Sequence, residues 1–293
     1  MTRTDVYQIV TDRIIEQLEA GVIPWKKGWH GTIDGAFNRI TKKPYSLLNQ
    51  MLLKNKGEYA SFKQWKELGG HVKAGEHGEI VTFWTTYPVK EVVNELIDGV
   101  STPVEKIKNI PVLKYYTVFH ISQVEGVKPL DVEELKEWDP IEKAEEVVTN
   151  YTTKDHLKLV NDQPSDRAFY SPMIDKVVVP MIGQFISSEE YYSTLFHELT
   201  HSTKHETRLN RGNETLSHFG SEDYSKEELV AEIGSANMMS YLGIETPKTF
   251  KNSAAYIQNW LQVLKNDKKM VVSAASKAQK ATDYILSFTE VGD

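Results

Sequence analysis

The chain has 293 residues, 40% hydrophobic and 26% charged, a balance that fits a globular protein with room for two ordinary domains and excludes a disordered one. It contains no cysteine, which excludes disulfides, thiolate-bound metal and cysteine nucleophiles, and its apolar runs are far shorter than the roughly 18–20 residues that cross a bilayer. The net charge of −7 is unevenly divided: residues 1–130 hold 17 Lys and Arg against 14 Asp and Glu, a net of +3, and the rest hold 17 against 27, a net of −10, so the two halves should meet different partners.

The opening MTRTDVYQIV lacks the apolar core of a secretory signal, so a cytoplasmic protein with no membrane partner is expected. Val6, Val10, Ile14 and Leu18 recur at helical spacing and predict a first helix ended by Gly21, with Pro24 just beyond. YSLLNQMLLKNKG reads as a second helix ended by Gly57. SFKQWKELGG reads as a third, opened by Ser61 with Gln64 in capping-box position and closed by Gly69 and Gly70. GEIVTFWTTY and PVLKYYTVFHI predict strands, with a charged and exposed excursion, PVKEVVNELIDGVSTPVEKIKN, between them. These elements make an α+β domain over residues 1–128. The acidic, proline-bracketed residues 129–139 read as a linker to a second domain, residues 140–293. There Asp139 caps a helix with Pro140 at its first position. RAFYSPMIDKVVVP predicts a hairpin whose second strand is Lys176–Val179, and helices follow at Ser188 to about His205, Lys226–Leu242, Ser253–Leu264 and Met270–Phe288.

In the first half, lysines alternate with aromatic residues. Single-stranded nucleic acid is held by such surfaces, which stack bases on aromatic faces and meet phosphates with cations. Trp25, Lys26, Lys27, Trp29, Lys42, Lys43, Tyr45, Asn49, Trp65 and Lys73 are the candidates for contact with DNA. The alternative is a small domain with tryptophans in its core and lysines in solvent.

The second half carries STLFHELTHSTKHETRLNR, which contains H-E-x-x-H. Residues four apart share a helix face, so His197 and His201 can point at one Zn2+, and Glu198 can take a proton from a water that the ion activates. His205 continues the spacing but sits about 12 Å along the helix from His197, too far for bonds near 2 Å. The third ligand is expected in YSKEELVAEIGSA, where Glu228 and Glu232 lie four apart inside an apolar run and would be costly to bury unpaired. Glu228 is the expected ligand and Glu232 the acceptor of a ligand histidine's free N–H, the glutamate-zincin arrangement. Glu227, one residue off, should face elsewhere. Tyr224, or less favourably Tyr170, is a candidate donor to the oxyanion of a tetrahedral intermediate. The strand DKVVVP is the expected edge against which an extended substrate would lie.

The chain as a whole resembles the ArdC-type antirestriction proteins of plasmids and other mobile elements. The resemblance rests on IIEQLEAGVIPWKKGW, ASFKQWKELGGHVKAGEHGEIVTFW and YYTVFHISQVEG in the first half. In the second it rests on FHELTHSTKHETRLNR, EELVAEIGSA, NWLQVL and AASKAQKATDYIL. It implies a domain that binds single-stranded DNA joined to a mostly helical zincin-like metallopeptidase domain with a small sheet. It also implies His197 and His201 as ligands of one catalytic zinc, Glu198 as general base, and protection of incoming DNA from host restriction. Two positions depart from the family pattern: Ser46 stands where a glycine is expected, and HSTKHE replaces a Trp-Thr-Gly-like sequence after the second histidine. Two other functions fit the same features. One is a DNA-dependent protease acting on DNA-bound proteins, as SprT-like zincins do. The other is a single-stranded-DNA-binding protein whose zinc domain is not catalytic. The protein substrate, a restriction protein or another DNA-bound protein, is not legible.

Overall fold

The structure, a computed structural model, describes residues 5–26, 35–97, 100–130, 140–211, 222–244 and 254–289. Helix α1 (Val6–Glu19) starts where Asp5 accepts from the Tyr7 and Gln8 backbone N–H groups. It ends where Gly21 takes a φ of 78° and Val22 donates back to the Gln17 carbonyl. Its Val10, Ile14 and Leu18 are fully buried, as their spacing predicts. Strands β1 (Ala36–Asn38) and β2 (Gly57–Ala60) flank a short helix, α2 (Leu47–Leu52). That helix is shorter than expected, because Leu53 is already extended and Gly57 opens β2 instead of closing the helix. Helix α3 (Phe62–Glu67) has the expected capping box: Ser61 N donates to Gln64 Oε1 at 2.9 Å and Gln64 N to Ser61 Oγ at 3.3 Å.

Strands β3 (His71–Val72), β4 (Glu79–Ile97), β5 (Val100–His120) and β6 (Val124–Glu125) complete the first half. The sheet order is β1-β2-β5-β4, with β1 parallel to β2 and the other pairs antiparallel, and β3 pairs with β6. The stretch expected as a charged, exposed excursion is largely exposed, and it is paired. β4 and β5 run together from Glu79↔Val118 out to Ile97↔Val100 as a long two-stranded ribbon. β-branched residues recur along both strands, Thr85, Thr86, Val89, Val92 and Val93 on one and Val104, Ile107, Ile110 and Val112 on the other, and favour the pairing past the core. Pro88, Pro103 and Pro111 fall on pairs of one parity (Pro88↔Asn109, Asn94↔Pro103, Thr86↔Pro111), so their nitrogens lie on the free edges and break no ladder bond.

The second half comprises α4 (Pro140–Lys154), β7 (Lys158–Val160), β8 (Phe169–Ser171), β9 (Lys176–Val178), α5 (Ser188–Ser202), α6 (Glu222–Leu242), α7 (Ala254–Asn266) and α8 (Met270–Leu286). The predicted hairpin is β8–β9, but β9 is not the edge strand expected of DKVVVP. β7 pairs parallel to its other side, leaving β9 central and β8 at the edge beside α5. Of the predicted linker, residues 131–139 lie outside the described residues.

One hydrophobic core joins the halves. Val10, Ile14 and Leu18 of α1 and Met51 of α2 pack with Leu229 and Ile233 of α6, Leu264 of α7 and Val271 of α8. A second core lies beneath α5, where Leu195, Phe196 and Leu199 meet Val147 and Tyr151 of α4, Val177 of β9, and Met238 and Leu242 of α6. Helix α6 therefore buries opposite sides in two cores, and a helix apolar on both sides belongs in the interior. Among the described residues no helix is long and apolar enough to cross a membrane.

Candidate metal centre

Helix α5 is fixed at both ends, along its core face and against α6. Ser187 caps it by accepting from Glu190 N at 3.3 Å, and its core face is Tyr191, Tyr192, Leu195, Phe196 and Leu199. At its far end Arg208 donates to the Ser202 carbonyl at 3.1 Å and to both oxygens of Asp175 at 2.7 Å, with Asp155 as a further partner. Asp175 lies in the turn between β8 and β9, so this cluster ties the helix to the sheet. Ser235 on α6 donates to the Ser193 carbonyl at 2.7 Å. Gly234 lets the two helices meet: a Cβ there would come within 2.6 Å of Thr200 Cγ2.

This close crossing sets Glu228 opposite His197 and His201. The two Nε2 atoms are 3.1 Å apart. Glu228 Oε2 lies 3.5 Å from His197 Nε2, and Oε1 lies 3.4 Å from His201 Nε2. Bonds of about 2.0–2.1 Å in a tetrahedral shell would separate neighbouring ligand atoms by roughly 3.3 Å. The spacing and the donor chemistry, two imidazoles and a carboxylate, fit a divalent cation. These three residues are the one such cluster among the described residues.

Burial opposes ionisation of Glu228, but hydrogen bonds from His197 and His201 outweigh it and hold its carboxyl well below the usual range. Burial likewise opposes protonation of His201, while Glu227 and Glu228 push its pKa up. Glu198 differs. It is buried, and burial raises its pKa despite the neighbouring histidines and a hydrogen bond from the Tyr170 backbone. A carboxyl shifted upward beside a set of residues that could hold a metal ion is suited to proton transfer.

Two expectations about neighbouring residues are corrected. Glu232 lines a cavity with Ser193, His197 and Glu228 but makes no hydrogen bond to either histidine. Glu227 takes that place: its Oε1 lies 3.5 Å from His201 Nδ1 and accepts from Arg211 Nη2 at 2.8 Å. Arg211 also donates to the Thr200 carbonyl at 3.0 Å and to Thr203. Helix α5 stops at Ser202, and His205 lies in the turn beyond, bonded to Thr207 at 2.8 Å and away from the cluster. The Tyr170 hydroxyl donates to Asp175 at 2.9 Å, so only its backbone faces Glu198. The Tyr224 side chain lies outside the described residues.

The predicted DNA contacts divide. Trp25, Trp65 and Asn49 are buried and offer no face to a base. Trp25 packs edge-on against Trp260, and Trp65 donates to the Phe119 carbonyl at 2.9 Å. Asn49 pins α2 to β4 by exchanging hydrogen bonds with Thr82 at 2.8 and 2.9 Å. In each case core packing or backbone pairing uses the group that DNA would need. Lys42 and Lys43 are exposed and Tyr45 is half-buried beside them. Lys73 is exposed and donates to the Ser122 carbonyl at 2.8 Å. Lys27, Trp29 and the Lys26 side chain lie outside the described residues.

Comparison with known proteins agrees with this architecture. Residues 4–119 match the N-terminal domain of anti-restriction factor ArdC, and residues 143–277 match a zincin-like metallopeptidase domain. The chain is 34% identical, over 97% of its length, to a DNA primase TraC of Escherichia coli, but it spans only 20% of that relative and 27% of a second TraC primase. It is 30% identical to the uncharacterized protein y4eC of Sinorhizobium fredii, covering 97% of this chain and 92% of the relative. Among solved structures, the antirestriction ArdC protein of plasmid R388 is 32% identical. Its metal-free form superposes with a TM-score of 0.73 over 97% of this chain and 98% of that one. Its Mn(II)-bound form superposes at 0.74 over 99% and 100%. By these likenesses along nearly its whole length, the protein belongs to the ArdC family of antirestriction proteins, with an N-terminal ArdC domain followed by a zincin-like metallopeptidase domain.

Proposed function

We propose that this protein is a metal-dependent peptidase whose first domain (residues 1–128) holds single-stranded DNA, and that it protects incoming DNA from restriction. The observation that carries the peptidase reading is the ligand cluster with a buried, upward-shifted Glu198 at its side. His197, His201 and Glu228 would hold the cation, for which zinc is our assignment from the donor set; the plasmid R388 relative has been seen with Mn(II). When bound, the ion supplies a Lewis acid that polarises a carbonyl and makes water a nucleophile near neutral pH. Glu198 takes the proton from the attacking water and delivers it to the leaving amine. The free edge of β8, whose Tyr170 backbone reaches Glu198, offers an extended peptide a strand to pair with.

Support for single-stranded DNA comes from the basic bias of the first half and from the TraC relatives, which are named as DNA primases. Cleavage of an unfolded protein and restriction protection, assayed side by side for wild type and Glu198→Gln, test the reading. Loss of both in the variant supports proteolysis as the route to protection. Protection with no cleavage by either protein would reduce the second domain to a metal-binding scaffold.

A further inference from the structure

The outer β4–β5 ribbon exposes aromatic side chains that the core does not use. On one face, Val81 and Val118 at the root are buried with Ala36, Leu53 and Tyr59, and Tyr45 packs against them. The next residues outward on that face are Phe83 and Tyr116, whose ring centres are 5.7 Å apart. Lys114 lies directly across from Phe83, and its Nζ sits 5.9 Å from the centre of the Tyr87 ring. Phe83 is 42% exposed, Tyr116 37% and Tyr87 57%. The Tyr45 hydroxyl neighbours that of Tyr116, and the exposed Lys42 and Lys43 precede it in the turn after β1. The result is a strip of Tyr45, Tyr116, Phe83, Lys114 and Tyr87, with Lys42 and Lys43 in the segment that leads into it.

Charge completes the description. No carboxylate among the described residues pairs with Lys42, Lys43 or Lys114. Of the acidic residues on this face, Glu91 is 3.5 Å from Lys108, and Glu79 accepts from Lys54 N at 2.6 Å. Exposed rings in a row are costly in water and mark a surface with an occupant. Rings interleaved with unpaired cations fit a partner that has flat apolar faces and regularly spaced negative charge. An unpaired nucleic-acid strand has both, whereas a duplex hides its base faces.

We infer that single-stranded DNA lies along this face of the ribbon, with bases stacked on Phe83, Tyr87 and Tyr116 and phosphates met by Lys114, Lys42 and Lys43. The inference rests on the reading that the first domain holds single-stranded DNA, and it names where. The opposite face also carries exposed rings, Trp84, which meets Tyr7 of α1 edge-on, and Tyr115, and Tyr115 serves as the control.

The test is fluorescence anisotropy of a labelled oligothymidylate with the full chain, at two salt concentrations. Losing one stacking ring should weaken binding about 5- to 150-fold, so Phe83→Ala combined with Tyr116→Ala should weaken it at least roughly 25-fold. Lys114→Gln should lower the salt slope by about 0.7, and Tyr115→Ala should stay within about twofold of wild type. If the double variant fails to fold, Tyr87→Ala, farther out on the ribbon, and the charge change Lys114→Gln carry the same test. Wild-type binding with unchanged Phe83, Tyr87 and Tyr116 variants would overturn the inference and leave the DNA reading standing. Absence of wild-type binding would remove the reading and the inference together. Tighter binding of duplex, or equal loss in Tyr115→Ala, would overturn the stacking face.

Discussion

Glu227 Oε1 lies 3.5 Å from His201 Nδ1, the ring nitrogen turned away from His197 and Glu228, and Arg211 holds that carboxylate from behind at 2.8 Å. Adjacent residues of one helix thus take different parts: Glu228 faces the cation position, and Glu227 fixes the ring that would bind it. A carboxylate behind a ligand histidine sets its tautomer and raises its basicity, and such partners are typically worth about 10–100-fold in metal affinity. We predict that loss for Glu227→Gln, with little change for Glu232→Gln, measured by competition with a chromophoric chelator.

The approach of α5 to α6 depends on Gly234. An alanine there would collide with Thr200, a buried residue held by its own hydrogen bond to the Phe196 carbonyl at 2.7 Å. Gly234→Ala should destabilise the fold by about 1–3 kcal/mol, as overpacking usually does, and should weaken metal binding by moving Glu228 away from the histidines. Adding Thr200→Ala, which removes Cγ2 and Oγ1, should restore part of both. Urea denaturation and metal titration of the single and double variants check this, and additive losses would contradict it.

Ion removal should lower stability, because the cluster forms only in the folded chain. With the free cation at about 100 times Kd the gain is about 2.7 kcal/mol. A chelator should therefore lower Tm in wild type and have far less effect in His201→Ala.

Acid stability should depend on the Arg208 cluster. Burial opposes ionisation of Asp175, but hydrogen bonds from Arg208 and Tyr170 outweigh it and hold the carboxyl below its ordinary value. A depressed folded-state pKa gives stability that is present above the unfolded value of about 3.9 and lost as pH falls through the folded value. Wild type should lose stability over that acid interval, and Asp175→Asn should be less stable at neutral pH but flatter below it. Asparagine suits the position because Asp175 has a φ of 43°. Denaturant midpoints at a series of pH values give the comparison.

The parts of the site legible in the sequence are those set by local periodicity. His197 and His201 share a face because a helix repeats near four residues, and Glu228 stood out because carboxylates are rare in an apolar run. The choice between Glu227 and Glu232 was not legible. It depends on the angle at which α5 crosses α6 and on Arg211, which arrives from the loop after α5. In the first half, composition marked tryptophans and lysines but could not show that Trp25 and Trp65 fill cores. The exposed rings Phe83, Tyr87 and Tyr116 were hidden for a related reason. Only the long β4–β5 pairing carries them beyond the layers that would cover them.

The central claim is that His197, His201 and Glu228 together bind one divalent cation. Calorimetric zinc titration of wild type and Glu228→Ala tests it most directly. We expect one equivalent bound by wild type, with affinity at least about 100-fold weaker in the variant, beyond the roughly 10–100-fold that loss of a carboxylate behind a ligand histidine costs. A Glu228→Ala protein that binds zinc as tightly as wild type would contradict the account.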